Sequence, residues 1–275
     1  MWLAGKDHHM PKRSRGVRGI ITGAAALAFL LGADGGARLR AGQNPAQAPP
    51  RVDPKAQQVL DRVIQALGGP AFLNVKRLTT RGRIFSIRDE VTTGFAPFES
   101  AVEYPDKRRF SFGKNPPVIL INNGDQAWEL DRMGQTSQTP EQAWRWRISN
   151  RYSLENLLRL RIHEPGTLIQ EGGVDFVDNV ATQALDIVDA QGTQLKMDLN
   201  RRTILPVRVS YRVRNPMTDD WTDFADVYSD YKNIQGVVTP MHIARFLDDE
   251  RVSEIFRSSG QYDDEYPPTY FQPVR

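Results

Sequence analysis

Histidine, cysteine, grouped carboxylates and grouped guanidiniums are the side chains with which a chain moves protons, holds metals or grips anions. Beyond residue 37 only two histidines remain, His163 and His242. They fall on different expected elements without carboxylates at ligand spacing, so each reads as a surface or structural side chain. The absence of cysteine excludes disulfides, thiolate metal sites, thiol nucleophiles and a lipid-modified cysteine. No G-x-S-x-G, phosphate-loop or dinucleotide fingerprint occurs, and no histidine pair has metalloprotease spacing. The acidic run Asp219, Asp220, Asp223, Asp226 and Asp230 lacks the alternating calcium-loop pattern and overlaps a strand, so it reads as a solvated face. Arg145, Arg147, Arg151, Arg159 and Arg161 could meet an anionic head group, but they read better as solubilising the outer sides of two helices. No nucleophile can be paired with a base, so the expectation is a non-catalytic chain with no cofactor and no metal.

What remains is apolar. Phe98, Val102, Phe110, Phe112, Ile119, Ile121, Trp128, Leu195, Met197, Val209 and Tyr211 exceed what one helix can comfortably cover. They form a candidate ligand-binding interior, although any one of them also suits an ordinary filled core.

The elements that must position this interior are mostly strands. In Asp223 to Phe246, two runs rich in aromatic and β-branched residues flank a turn at Lys232 to Gly236, an antiparallel hairpin. In Val207 to Arg214, apolar Val207, Val209, Tyr211 and Val213 alternate with Arg208, Ser210, Arg212 and Arg214, giving one buried and one wet face. Further strands are expected at 77–88, 94–104, 108–112, 118–122, 126–130, 173–178, 183–189, 194–199 and 252–257, with Asn123-Gly124 as a tight turn. Asp53 and Pro54 open a helix whose Val59, Leu60, Val63, Ile64 and Leu67 share one face, and Gly68-Gly69 ends it. Thr139-Pro140-Glu141-Gln142 matches a capping box, and Ser153 caps a second short helix. This insertion carries Trp144, Trp146, Leu154, Leu157 and Leu158. The fold class is therefore α+β, mainly antiparallel β, with about ten or eleven strands that must curl strongly or close partly, and the helical insertion is either a lid over the concave face or a cap on an open barrel end.

Residues 1–37 read as a removed signal peptide, with Met1 or Met10 as the start. Lys12, Arg13, Arg15 and Arg18 precede the apolar run Ile20 to Leu31, and Ala37 or Ala41 suits cleavage. Residues 38–53 read as a flexible linker, 54–260 as the folded domain and 261–275 as a C-terminal tail. The full chain has a net charge of +3. Five of its 36 basic and two of its 33 acidic residues lie within 1–37, so the remainder carries 31 of each. That balance leaves no basic excess for a nucleic acid, and the location expected is the periplasm.

The order of several short stretches resembles the outer-membrane lipoprotein-sorting proteins, the LolA/LolB-like superfamily. These are Ala66-Leu67-Gly68-Gly69 followed by Val75-Lys76-Arg77-Leu78, then Tyr104-Pro105-Asp106-Lys107, Asn123-Gly124-Asp125-Gln126-Ala127-Trp128, and Asp230 to Val237 with Pro240. The resemblance spans roughly Lys55 to Arg257. It implies a strongly curved, unclosed antiparallel barrel, with the N-terminal helix and the helical insertion on the concave side, where they plug a cavity for acyl chains of a lipoprotein or another lipid. Val59, Val63, Trp144, Trp146, Leu154, Leu157 and Leu158 would then be the plug. A soluble carrier is the first expectation; a module that binds a membrane-associated protein, with the same fold and no lipid cargo, is the second.

Overall fold

The computed structural model describes residues 48–273. The expected signal peptide and residues 38–47 of the expected linker lie outside them. The end of that linker is held in place: β1 (Arg51–Val52) pairs in parallel with β8 (Leu168–Val177).

Helix α1 (Pro54–Leu67) begins where the Asp53 carboxylate accepts from the Lys55 and Ala56 amides at 2.8 and 3.3 Å. It buries Ala56, Val59, Leu60, Val63 and Leu67. Gly68 ends it at a φ of 124°, and a Cβ there would sit 2.3 Å from the Gly236 carbonyl oxygen, so only glycine lets the helix end seat on that turn. The short helix α2 (Pro70–Asn74) leads into the sheet. There follow β2 (Arg77–Arg88), β3 (Val91–Glu103), β4 (Lys107–Phe112), β5 (Val118–Asn123), β6 (Gln126–Asp131) and β7 (Gly134–Ser137). Helices α3 (Pro140–Arg151) and α4 (Leu154–Arg159) interrupt the series. The capping box is present, with Gln142 N donating to Thr139 Oγ1 and Thr139 N donating to Gln142 Oε1. After β8 come β9 (Val180–Val188), β10 (Gln194–Asn200), β11 (Pro206–Arg214), β12 (Trp221–Ile234), β13 (Val237–Leu247) and β14 (Glu250–Tyr262).

These strands form one curled, unclosed sheet in the order β1-β8-β9-β10-β11-β12-β13-β14-β2-β3-β4-β5-β6-β7. Every pairing except β1–β8 is antiparallel. Fourteen strands replace the expected ten or eleven. Among those that match no stretch read as a strand are the two-residue β1 and the polar β7, neither of which carries an apolar alternation. Asp89-Glu90, Asp178-Asn179 and Asp248-Asp249 turn hairpins with both residues at positive φ, a conformation that Asp and Asn tolerate.

The helices cover one face, here the inner face. Residues 263–273 cover part of the other. Tyr266 OH lies 2.7 Å from Thr79 Oγ1, and Arg109 donates to the Tyr270 carbonyl oxygen. Phe271 is buried and accepts from Asn123 at its carbonyl. The C-terminal segment is thus a strap across β2 to β5. No helix among the described residues is long and apolar enough to cross a membrane.

Candidate functional site

Cross-strand register shows which side chains share a face, since directly paired residues point the same way. On the inner face, Ile169, Ile187, Leu195, Tyr211 and Phe224 form one row across β8 to β12. The next row reads Leu185, Met197, Val209, and then, without a break in pairing, Asp226, Arg245, Ser253 and Ser86. Along this row the inner face changes from apolar on β9 to β11 to charge-bearing on β12 and β13.

The apolar half is filled. Leu60, Leu67, Leu157, Leu158, Leu185, Ile187, Met197 and Leu199 are among the largest fully buried side chains. The expected plug residues Val59, Val63, Trp144, Leu154, Leu157 and Leu158 pack in the same cluster as the sheet, and Trp146 is also buried. Trp144 meets Phe224 edge-on at 5.9 Å, and Tyr152 lies 4.6 Å from Tyr211. Of the eleven interior residues expected from sequence, Leu195, Met197, Val209 and Tyr211 belong here.

Phe98, Val102, Phe110 and Phe112 face the same side on β3 and β4, with Phe98 and Phe110 stacked at 5.4 Å. Ile119, Ile121 and Trp128 do not. The row Thr79, Ala101, Arg109, Ile121, Trp128 points outward, and Ile119 shares the parity of Ile121. Ile121 is fully buried beside the residues that hold the C-terminal strap. The expectation of one continuous apolar interior is corrected: these three belong to the opposite face.

Charged groups converge on the other half. Arg108 pairs with Val102 and Asn122 across β3 and β5 and donates to Asn122 Oδ1 at 3.1 Å. Its guanidinium lies 5.6 Å from the Phe110 ring centre and 5.8 Å from that of Trp146, and its buried Nε has no protein acceptor. Burial, with Arg245 nearby, pulls its pKa down to about 9. Arg245 Nε is 3.4 Å from Asp226 Oδ1, and its side chain is 36% accessible. Burial raises the Asp226 carboxyl, against the charge of Arg245. Arg257 donates to the Pro240 carbonyl oxygen at 2.9 Å opposite Gly82, and Arg159 donates to the Val75 carbonyl oxygen over the Tyr104 ring. Glu155 is felt by Tyr104, Tyr228, Tyr231 and Tyr262, whose hydroxyls are pushed up chiefly by burial and so stay protonated.

Two readings from sequence change accordingly. Asp226 leaves the solvated acidic run and faces inward, while Asp219, Asp220 and Asp230 stay exposed. Among the helix arginines Arg147 is exposed, Arg159 turns inward, and Arg151 and Arg161 pair with Glu164, Arg151 also with Asp189. Parity carried the missed signal. Asp226 sits two residues from Phe224 and Tyr228, Arg245 two from Ile243, and Arg108 two from Phe110.

The outer face also joins residues that sequence left apart. Ser229 and His242 are cross-strand partners with Oγ 2.8 Å from Nδ1, and Glu254 Oε1 is 3.9 Å from Nε2. They line a recess of about 670 Å³ with Val177, Val180, Leu205 and Phe246. A nucleophile and a base are therefore paired, contrary to expectation. The carboxylate is beyond hydrogen-bond reach and is held by Arg251 at 2.8 Å, so the third group that would orient the imidazole is engaged elsewhere. His163 is exposed, and among the described residues no three His, Asp or Glu side chains group to hold a metal.

No family model matches the sequence, and no curated protein matches it. Solved structures do. A DUF1329 family protein from Desulfovibrio piger is 12% identical with a TM-score of 0.54, covering 79% of this chain and 97% of that one. A structure named for an outer membrane lipoprotein-sorting protein domain from Vibrio parahaemolyticus follows at 10% identity, TM-score 0.49 and the same coverages. A LolA superfamily protein from Nitrosomonas europaea has 14% identity and a TM-score of 0.47, again over 79% and 97%. At such identities the likeness is one of fold alone, and it rests on the DUF1329 structure.

Proposed function

We propose that the chain is a non-catalytic periplasmic carrier that shelters the acyl chain of a lipoprotein or another lipid on the apolar half of its inner face. The observation that carries this reading is the helix plug. Helices α1 and α4 bury Val59, Leu60, Val63, Leu67, Leu154, Leu157 and Leu158 in one cluster with the apolar rows of β9 to β11. Five aliphatic side chains of α1 contribute on the order of 10 kcal/mol by burial. An acyl chain of about twelve methylenes, at ~0.8 kcal/mol each, supplies a similar amount. Exchange of α1 alone for such a chain is therefore close to balanced, and a longer or second acyl chain would be set against α4, as a reversible carrier needs.

A second reading rests on the outer face, where exposed Phe95 stacks on Phe85 at 5.8 Å and Phe85 meets Phe256 at 5.6 Å. That aromatic row suits a protein partner and needs no lipid. Native mass spectrometry of the exported chain, with organic extraction of whatever accompanies it, separates the two. A stoichiometric lipid supports the carrier. A bare mass that also fails to take up a fluorescent fatty acid overturns it.

A further inference from the structure

We infer that the cargo is an amphiphile with an anionic head, a phosphate or a carboxylate, and that Arg108 and Arg245 receive that head while its chain lies along the apolar rows. This rests on the carrier reading and adds the chemical class of the ligand.

Charge balance and placement support it. Four guanidiniums, those of Arg108, Arg159, Arg245 and Arg257, serve this region against two carboxylates, Asp226 and Glu155. The excess is positive, and it lies in surroundings that disfavour charge enough to depress a guanidinium. Arg108 has a neutral amide for its partner, so the charge near it is not matched locally. Arg245 keeps a third of its side chain accessible, and the carboxylate it pairs with, Asp226, is one that burial works to protonate. Guanidiniums present flat arrays of donors that suit phosphate and carboxylate oxygens. The Tyr228 hydroxyl, kept protonated, is a further donor on the same face.

The boundary gives the geometry. Val209 on β11 and Asp226 on β12 are direct cross-strand partners, and Arg245 is the next side chain along that row. A ligand crossing from Met197 to Arg245 passes from wholly apolar to cationic surface within four adjacent strands, β10 to β13. Adjacent strands lie about 4.8 Å apart, so the change occurs over a distance comparable to the join between a lipid's head and its chain.

The test compares palmitic acid, hexadecyl phosphate, hexadecanol and hexadecylamine as competitors of a fluorescent fatty acid bound to the mature chain. The acid and the phosphate are expected to bind about tenfold or more tighter than the alcohol, as charge-assisted hydrogen bonds provide, and the amine is expected to be weakest. Their relative order tells carboxylate from phosphate. Arg245→Gln should bring acid and alcohol within about threefold of each other while leaving the alcohol unchanged. Arg245→Lys should retain part of the preference, and exposed Arg147→Gln should change nothing. Arg108→Gln should narrow the same preference for the acid over the alcohol. Equal binding of acid and alcohol by the wild type overturns the headgroup site but leaves the carrier standing. Equal loss of all ligands in Arg245→Gln also overturns it, because that marks a structural role. If none of the four binds, the carrier reading falls as well.

Discussion

The two halves of the inner face are built on the same strands by different rules. In β9 to β11 the central rows Ile187, Leu195, Tyr211 and Leu185, Met197, Val209 are wholly apolar or aromatic, and the buried side chains of the helices pack in one cluster with them. From β12 onward, inward positions mix Tyr228, Ile243, Ile255 and Ile84 with Asp226, Arg245, Arg257 and Arg108. The first half is optimised for burial and the second is not. Positions that give up stability by holding charge in low-dielectric surroundings mark where a fold serves a ligand in place of its own packing.

That contrast is sharpest in the response to truncation. In the apolar half, Leu157→Ala or Met197→Ala should destabilise by about 3 kcal/mol, because each leaves a cavity in fully packed surroundings. Urea unfolding with an unchanged slope checks this, and a loss under about 1 kcal/mol would mean that the half is not closely packed.

In the charged half the sign should reverse. Arg108→Met removes a cation that has no carboxylate partner and should stabilise the chain by about 1–3 kcal/mol, while weakening anion binding. The pH dependence follows from the depressed pKa. The cost of the charged form is fully present below about pH 9, the folded-state value, and fades as pH rises above it toward the higher value of the unfolded chain. Melting temperatures of the variant and the wild type should therefore converge above pH 9, and divergence there contradicts the assignment.

The smallest effect lies between the halves. Asp53→Ala removes the cap of α1 and should cost about 1 kcal/mol. Because α1 is half of the plug, the same change should tighten acyl-chain uptake severalfold, measured with the fluorescent fatty acid. Equal affinity in both proteins would separate α1 from lipid entry.

Much of this was legible in the residues, for reasons that also explain what was not. The α1 stripe and the alternation of Val207 to Arg214 follow directly from the helical and strand periods, and the capping box from residue type. Turns with the Asn-Gly signature were readable. The acidic turns at Asp89-Glu90 and Asp248-Asp249 were not, because only tertiary pairing forces both residues to positive φ. The run Val118-Ile119-Leu120-Ile121 is apolar on both faces, so its alternation carries no sense of in or out. What buries Ile121 is a segment some 150 residues further along the chain. Asp226, Arg245 and Arg108 were readable in principle, since each shares parity with buried neighbours. They were passed over because charge on a strand is ordinarily solvated.

The most direct measurement is hydrogen exchange of the mature chain with and without saturating palmitic acid. Amides of α1 and α4 are expected to lose protection as the acyl chain takes their place, while those of β9 to β11 keep theirs. Unchanged protection in both helices at full occupancy would contradict displacement of the plug, and with it the claim that the apolar half is the lipid site.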